Sequence, residues 1–420
     1  MLSFQESKLE KYLAVSAAFA ICVLRVSTAL SEVATGIALL LGLVLWHKNK
    51  ESVSVSEDIK GYMKAYGVFL LLLVPSVVFS DNAAASVKEF FRFWVWRFMI
   101  FAVVAAFIHR REYLVNMLTA FLAVMSLECL YSLFQVLKHV RPDGRGLGFT
   151  PGLSLAGTLC MLLPLVLVIL MDSGFEKKLK KVAAFSVIST IIGLLCNKSR
   201  GSWLTVLIVV PVATFRYLKQ SKKYLAVVLA LFLGVAGFMA STPQYVQRVK
   251  SITNMTTDTS NAYRLFIWKS ATQMVRDHPV TGIGAGRFAE IYKGKYNYAY
   301  RYEKFKDKGK FKYKKVRVHL TYQHAHNNFF HIAAESGIIG LVGILYFVGY
   351  YLYSSLCNYR KNKNPYDILV FTTCFGYICL FGLIDYSLGL STGIRIMWFL
   401  LAVLLKMKET DNNKSLCSKL

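Results

Sequence analysis

The chain has 420 residues, of which 55% are hydrophobic and 17% charged, with a mean hydropathy of +0.45; a soluble domain carries about 25% charged residues. This excludes a soluble globular protein and predicts an all-α polytopic membrane protein, because apolar runs long enough to cross a bilayer recur along the whole chain. The net charge of +27 comes with no nucleic-acid fold signature. In a membrane protein it marks cytoplasmic loops and affinity for anionic lipid or phosphate, so nucleic acid is excluded as a partner.

About 12 transmembrane segments are expected, near 12–30, 33–46, 63–80, 90–108, 114–137, 153–171, 182–196, 203–216, 224–240, 327–354, 367–386 and 390–406. The first run follows a short stretch of mixed charge and is soon followed by a second, so it reads as a retained helix rather than a secretory signal. With the N-terminus cytoplasmic, lysine and arginine concentrate in the inside loops, notably 177–181, 216–223 and 360–363. The short outside loops are poorer in both, and an even number of spans with both termini inside satisfies the bias. The expected organisation is an N-terminal bundle of about nine helices (1–240), a large outside loop with an amphipathic helix (241–325), and about three further helices with a cytoplasmic tail (326–420). The eight cysteines fall mostly in or beside apolar runs and include no C-x-x-C pair, which argues against a disulfide scaffold and a zinc–thiolate site.

Three outside connections stand out. The first, 138–152, holds Arg141-Pro-Asp-Gly-Arg145-Gly-Leu-Gly, and the second is the short turn Asn197-Lys-Ser-Arg200-Gly201. Arginines there break the charge bias, so each serves an ion pair or an anionic ligand. The third is the long loop to Gln323. Within it, 262–277 carries Leu265, Trp268, Ala271, Met274 and Val275 at helical spacing, a stripe suited to lying on the membrane or the bundle. A glycine-punctuated stretch follows, Pro279-Val-Thr-Gly282-Ile-Gly284-Ala-Gly286-Arg287-Phe288. It serves either as scaffold for a site or only as a turn. The tract 293–317 interleaves lysine with tyrosine and phenylalanine, either as a solvated insertion or as a surface for an anionic lipid headgroup or glycan.

His319, His324, His326 and His331 crowd the end of this loop, where a new apolar run begins. Ionisable groups at a membrane boundary are functional candidates, although interfacial polar residues also occur there. The spacing is not that of a helical zinc pair and no carboxylate cluster joins them, so no metal and no cofactor is expected. A histidine, with an ordinary pKa near 6.5, suits a general base. Arg200 and Arg264 are each also compatible with a snorkelling or paired surface arginine. Converging guanidinium groups, however, hold phosphate oxygens in bidentate fashion and stay charged, which makes a pyrophosphate clamp. Together with a histidine base they point to a transferase using a lipid-linked phosphorylated donor on the outer face.

At these residues the chain resembles the O-antigen ligase and polymerase superfamily of bacterial envelope glycosyltransferases, over about 145–340. The resemblance rests on Asn197-Lys-Ser-Arg200-Gly-Ser-Trp203, on Arg264-x-x-x-Trp268 leading into Pro279 to Phe288, and on His326-Asn327 followed after nine residues by Gly337-Ile-Ile-Gly340. It implies a GT-C-like bundle in the bacterial inner membrane, its active site facing the periplasm under the large loop. It also implies an undecaprenyl-pyrophosphate-linked glycan donor, used without nucleotide or metal, and a lipid A-core acceptor. His326 would be the base, Arg200 and Arg264 would hold the pyrophosphate, and Asn327 and Gly337 would shape the helix start. Arg145, Arg287, His324 and Glu335 are supporting candidates. The basic outer loop suits a phosphate-rich lipopolysaccharide core, which favours an O-antigen ligase. A polymerase of the same superfamily is the alternative, and a transporter of lipid-linked glycans is the alternative from another class. The chain shows no repeated halves, which counts against transport.

Overall fold

The computed structural model describes residues 4–50, 53–150, 154–253, 259–297, 300–307, 310–317 and 323–417. His319 lies outside them. Each expected membrane segment coincides with a helix: α1 (Phe4–Val23), α2 (Thr28–Lys48), α3 (Glu57–Val78), the run from α4 (Ala83–Phe90) through a π-helical turn (Phe91–Val95) to α5 (Trp96–Phe107), and α6 (Arg111–Leu137). Next come α7 (Ser154–Met171), α8 (Lys177–Asn197), α9 (Arg200–Gln220) and α10 (Lys222–Ser241). The long connection holds α11 (Pro243–Lys250), α12 (Thr259–Asp277), α13 (Phe288–Ile291) and strands β1 (Tyr300–Asp307) and β2 (Lys310–Arg317). Then come α14 (Asn328–Asn362), α15 (Pro365–Cys374) continued by tighter and wider turns to Leu383, and α16 (Ser391–Cys417).

Among the described residues, ten stretches are long and apolar enough to cross a membrane. The two that fall short of the expected twelve are α1 and α16, and the reason is charge. Glu6, Lys8, Glu10 and Lys11 open α1, while Arg395, Lys406 and Lys408 punctuate α16. Helix starts follow local capping chemistry: Ser27, Asn82, Ser199, Asn327 and Asn364 each accept a hydrogen bond from the first turn of the following helix. α7 is buried along almost its whole length, packed against α8, α9, α15 and α16. α16 is likewise enclosed from Ile394 to Leu405. By contrast only Val228 is buried on α10, whose main neighbours are α9 and α11.

The all-α expectation needs one addition, the antiparallel β1–β2 hairpin in the long connection, registered from Tyr300 opposite Arg317 to Asp307 opposite Lys310. It occupies the Lys/Tyr tract, whose alternation has the period of a strand and whose aromatics favour one.

The helix connections gather at two ends. At one, Lys408 pairs with Asp58 (2.6 Å) and Asp367 (2.8 Å), and Arg111 pairs with Glu176 (2.7 Å). The other end collects 24–27, 79–82, 138–150, 197–199, the long connection and 384–390. There the fully buried Arg25 pairs with Glu128 at 2.5 Å and also donates to Ser154 Oγ, so neither charge is left unsatisfied.

Candidate functional site

The site begins at the N-terminus of α14. Asn327 caps the helix by accepting from the Phe329 and Phe330 amides (2.9 and 3.0 Å), and its own amide donates to the Leu383 carbonyl (3.0 Å). Asn328 reaches the same neighbourhood, donating to Ile378 O and Ser387 Oγ (both 2.9 Å). These bonds fasten the start of α14 to the segment between α15 and α16. His326, just before the cap, has a left-handed backbone (φ 49°), uncommon for a residue other than glycine though enriched for histidine. Its Nδ1 lies 2.9 Å from Asp385 Oδ1, with the imidazole partly exposed (22%) and the carboxylate nearly covered (3%).

The His326 ring meets His324 with centroids 4.2 Å apart, and the His326 amide donates to His324 Nδ1 (3.3 Å). Burial, then the neighbouring His326, His331 and Arg264, push His324 down to about 3 against the opposing pull of Asp385, so His324 is neutral at physiological pH. Burial alone would raise the Asp385 carboxyl. The hydrogen bond from His326, the nearness of that imidazole and the Tyr386 amide outweigh it and hold the group below its usual range. His324, His326 and Asp385 present potential ligand atoms within 4.8 Å of one another, a donor set that could hold a metal ion. The expectation that no carboxylate joins these histidines is thereby corrected. Asp385 is remote in sequence and arrives through the fastening of 384–390 to α14.

Arg264 is brought near by Trp268, one turn further along α12, whose indole donates to Ala325 O (3.0 Å) and whose ring stacks on Phe330. Arg200 opens α9 and is buried. It donates to Ser251 O (2.7 Å) and Ser251 Oγ (2.8 Å), and to Asn261 Oδ1 (3.1 Å). Asn261 is one turn before Arg264, so one helix links the two arginines. Arg145 donates to Asn197 O (2.7 Å). Burial, together with Arg248, Arg141 and Arg200 close by, pushes it down to about 10. Lys198 is lowered too, by burial first and by Arg145 and Arg248 after it. A knot of cations therefore gathers around Arg145, with Arg200 among its members. Arg287 stands apart from it, with its guanidinium engaged by Glu290.

The glycine stretch is built into a break in α14. Gly337, at φ 60° and ψ −159°, interrupts the helix. The carbonyls of Ala334 and Glu335 accept from Ile283 and Gly284 (both 3.0 Å), while the Ile338 amide donates to Pro279 O (2.9 Å). The Glu335 carboxylate accepts from the Gly286 and Phe288 amides (2.9 and 3.0 Å), with His331 Nε2 at 3.5 Å. A Cβ on Gly337 would lie 2.3 Å from Val280 O, and one on Gly282 would lie 2.3 Å from the Glu335 carbonyl carbon. Both positions thus require glycine, which accounts for the spacing of the motif.

Two hollows adjoin these groups. An apolar cleft of about 280 Å³ runs between α7, α8, α9 and α10, past Trp203, Leu207 and Phe232, and ends at Val249 and Ile252, beside the Ser251 that Arg200 grips. A polar–aromatic cavity of about 340 Å³ lies against His324, His331 and Tyr386.

The fold and site define a polytopic membrane protein with a polar, histidine- and arginine-bearing centre at one end of its bundle. A family model described as O-antigen ligase matches residues 184–345, so this stretch of the chain is similar to the O-antigen ligase family. The matched segment takes in Arg200, Arg264, the glycine stretch, His326 and Gly337, and ends before Asp385. A comparison with curated proteins gives no match. Asp385 is the residue that sequence reasoning missed. Its signal was a carboxylate inside an apolar run, 367–386, where burial of a charge demands a partner.

Proposed function

We propose that the protein is an O-antigen ligase of the bacterial inner membrane. In this reading it transfers a glycan from undecaprenyl pyrophosphate to a sugar hydroxyl of the lipid A-core on the periplasmic face. The observation that carries this is the His326–Asp385 pair, with Arg264 close to the adjoining His324 and with Arg200 bonded to Ser251 at the edge of an apolar cleft. Asp385 fixes Nδ1 of His326 as the protonated nitrogen and leaves Nε2 to accept a proton. The acceptor hydroxyl gives its proton to Nε2 as its oxygen attacks the anomeric carbon of the donor glycan. The bond from that carbon to the pyrophosphate oxygen breaks, the configuration inverts, and undecaprenyl pyrophosphate departs. Arg200 and Arg264, assisted by Arg145, stabilise charge growing on the leaving group. The polyprenyl chain lies in the apolar cleft, whose lining is almost wholly hydrocarbon. Residues 1–240 and 326–420 serve as the membrane bundle and 241–325 as the periplasmic cap. The basic hairpin, with Lys312 and Lys314 exposed, suits a phosphate-bearing acceptor. Glu335 and Gly337 hold the glycine stretch rather than touching the reacting atoms.

The test uses purified protein, a labelled undecaprenyl-pyrophosphate oligosaccharide, and rough lipopolysaccharide, without added metal. Label moving onto the lipopolysaccharide is the expected result. A ladder growing on the donor would make the protein a polymerase with the same residues in the same roles. An uncleaved donor, with or without rough lipopolysaccharide, would overturn the enzymatic reading in favour of transport.

A further inference from the structure

We propose that the cavity beside His324 is the acceptor site and takes a hydroxyl-bearing sugar ring; this rests on the glycosyl-transfer reading above. The cavity shares no lining residue with the apolar cleft, so donor lipid and acceptor have separate compartments. Its size, about 340 Å³, falls at the lower end of the roughly 300–1,000 Å³ of small-ligand sites.

The walls have the chemistry of a carbohydrate site. Phe93, Trp94 and Tyr386 offer aromatic surface for the apolar face of a sugar. The Glu89–Arg92 pair (2.6 Å) and Gln323 supply carboxylate, guanidinium and amide groups that exchange hydrogen bonds with hydroxyls. This wall is held firmly. The π-helical turn Phe91–Val95 carries Arg92, Phe93 and Trp94, and such turns recur at functional sites. Arg97, one turn on, lies 3.6 Å over the Phe93 ring and donates to Leu388 O and Gly389 O (3.4 and 3.2 Å). The same guanidinium thus ties the aromatic wall to the segment that carries Asp385. His324 forms part of the cavity wall and its ring packs on that of His326 with centroids 4.2 Å apart, so a hydroxyl held against His324 is one ring away from the proposed base.

Two variants test the cavity, one filling it (Ala289→Phe) and one removing its guanidinium (Arg92→Ala). Transfer is measured with the labelled donor at fixed saturation and rough lipopolysaccharide varied, then with the roles reversed. Arg92→Ala is expected to raise the acceptor KM about tenfold, the loss of one charge-assisted hydrogen bond, and Ala289→Phe to raise it further, with the donor KM unmoved in both. A donor KM that rises while the acceptor KM stays put would overturn the assignment. Separately, quenching of tryptophan fluorescence by free core oligosaccharide should disappear in Ala289→Phe. That binding readout needs no turnover: a wild-type protein that binds the oligosaccharide but transfers nothing would sink the ligase reading and leave the cavity standing. Equal quenching in wild type and Ala289→Phe would sink the cavity assignment alone.

Discussion

Replacing Asp385 by Asn removes a charge while keeping the shape of the side chain. Its Oδ1 faces His326 Nδ1 at 2.9 Å and also accepts the Tyr386 amide at 2.9 Å. Asparagine can keep the second bond as a neutral acceptor. If it turns its NH2 toward His326, however, it favours the tautomer whose Nε2 already carries a proton and cannot act as a base. The carboxylate is nearly covered, so water does not restore the lost interaction. A hydrogen bond to a charged partner contributes about 1.5–3 kcal/mol, and a factor of ten in rate corresponds to about 1.4 kcal/mol, so turnover should fall by about ten- to a hundredfold. The assay is steady-state transfer by the purified protein, with thermal unfolding as the check on folding. A second comparison sharpens it: Asp385→Asn combined with His326→Ala should be no slower than His326→Ala alone, because the two residues act as one unit. A well-folded Asp385→Asn protein with the wild-type rate would refute the coupling.

Gly337→Ala should lower the thermal midpoint, since its glycine-specific backbone implies strain of about 1–3 kcal/mol for another residue and the added methyl would meet Val280 O. An unchanged midpoint would mean that the break in α14 is not required. Arg264→Lys should reduce kcat/KM for the donor about tenfold, because an ammonium does not reproduce the bidentate fork; a variant at wild-type efficiency would remove Arg264 from the clamp. The depressed His324 pKa gives a signed pH effect. Between the unfolded value near 6.5 and the folded value of about 3, the unfolded chain binds the extra proton, so His324 erodes stability as pH falls through that window. By pH 5 the loss is about 2 kcal/mol, and His324→Gln should show a correspondingly smaller fall in thermal midpoint between pH 7.5 and 5. Parallel curves for the two proteins would contradict a neutral buried imidazole.

Apolar run length was enough to find the ten helices among the described residues that are long and apolar enough to cross a membrane, because run length is a local property. It was less informative where charges enter: α1 and α16 are helical despite Glu10 and Arg395, which find partners in His109 and Arg110 amides and in Glu32. The histidine and the arginines could be singled out because each stands at a membrane boundary or breaks the charge bias. Asp385 could not be joined to His326 in the same way, since their pairing depends on Asn327 and Asn328 reaching across to the segment after α15. The glycine stretch was undecidable for a similar reason. Its hydrogen-bond partners are carbonyls that exist as free acceptors only because Gly337 breaks a helix about fifty residues later. The hairpin follows the Tyr/Lys alternation, whose period of two is that of a strand.

The most direct measurement compares His326→Ala with wild type in the transfer assay, with binding of the undecaprenyl-pyrophosphate donor measured on the same preparations. Loss of a general base should cut turnover about 10²- to 10⁴-fold while donor binding survives, since the lipid and pyrophosphate are held by the cleft and the arginines. Near-normal turnover by His326→Ala would contradict the account, and the proton would have to leave the acceptor by another route.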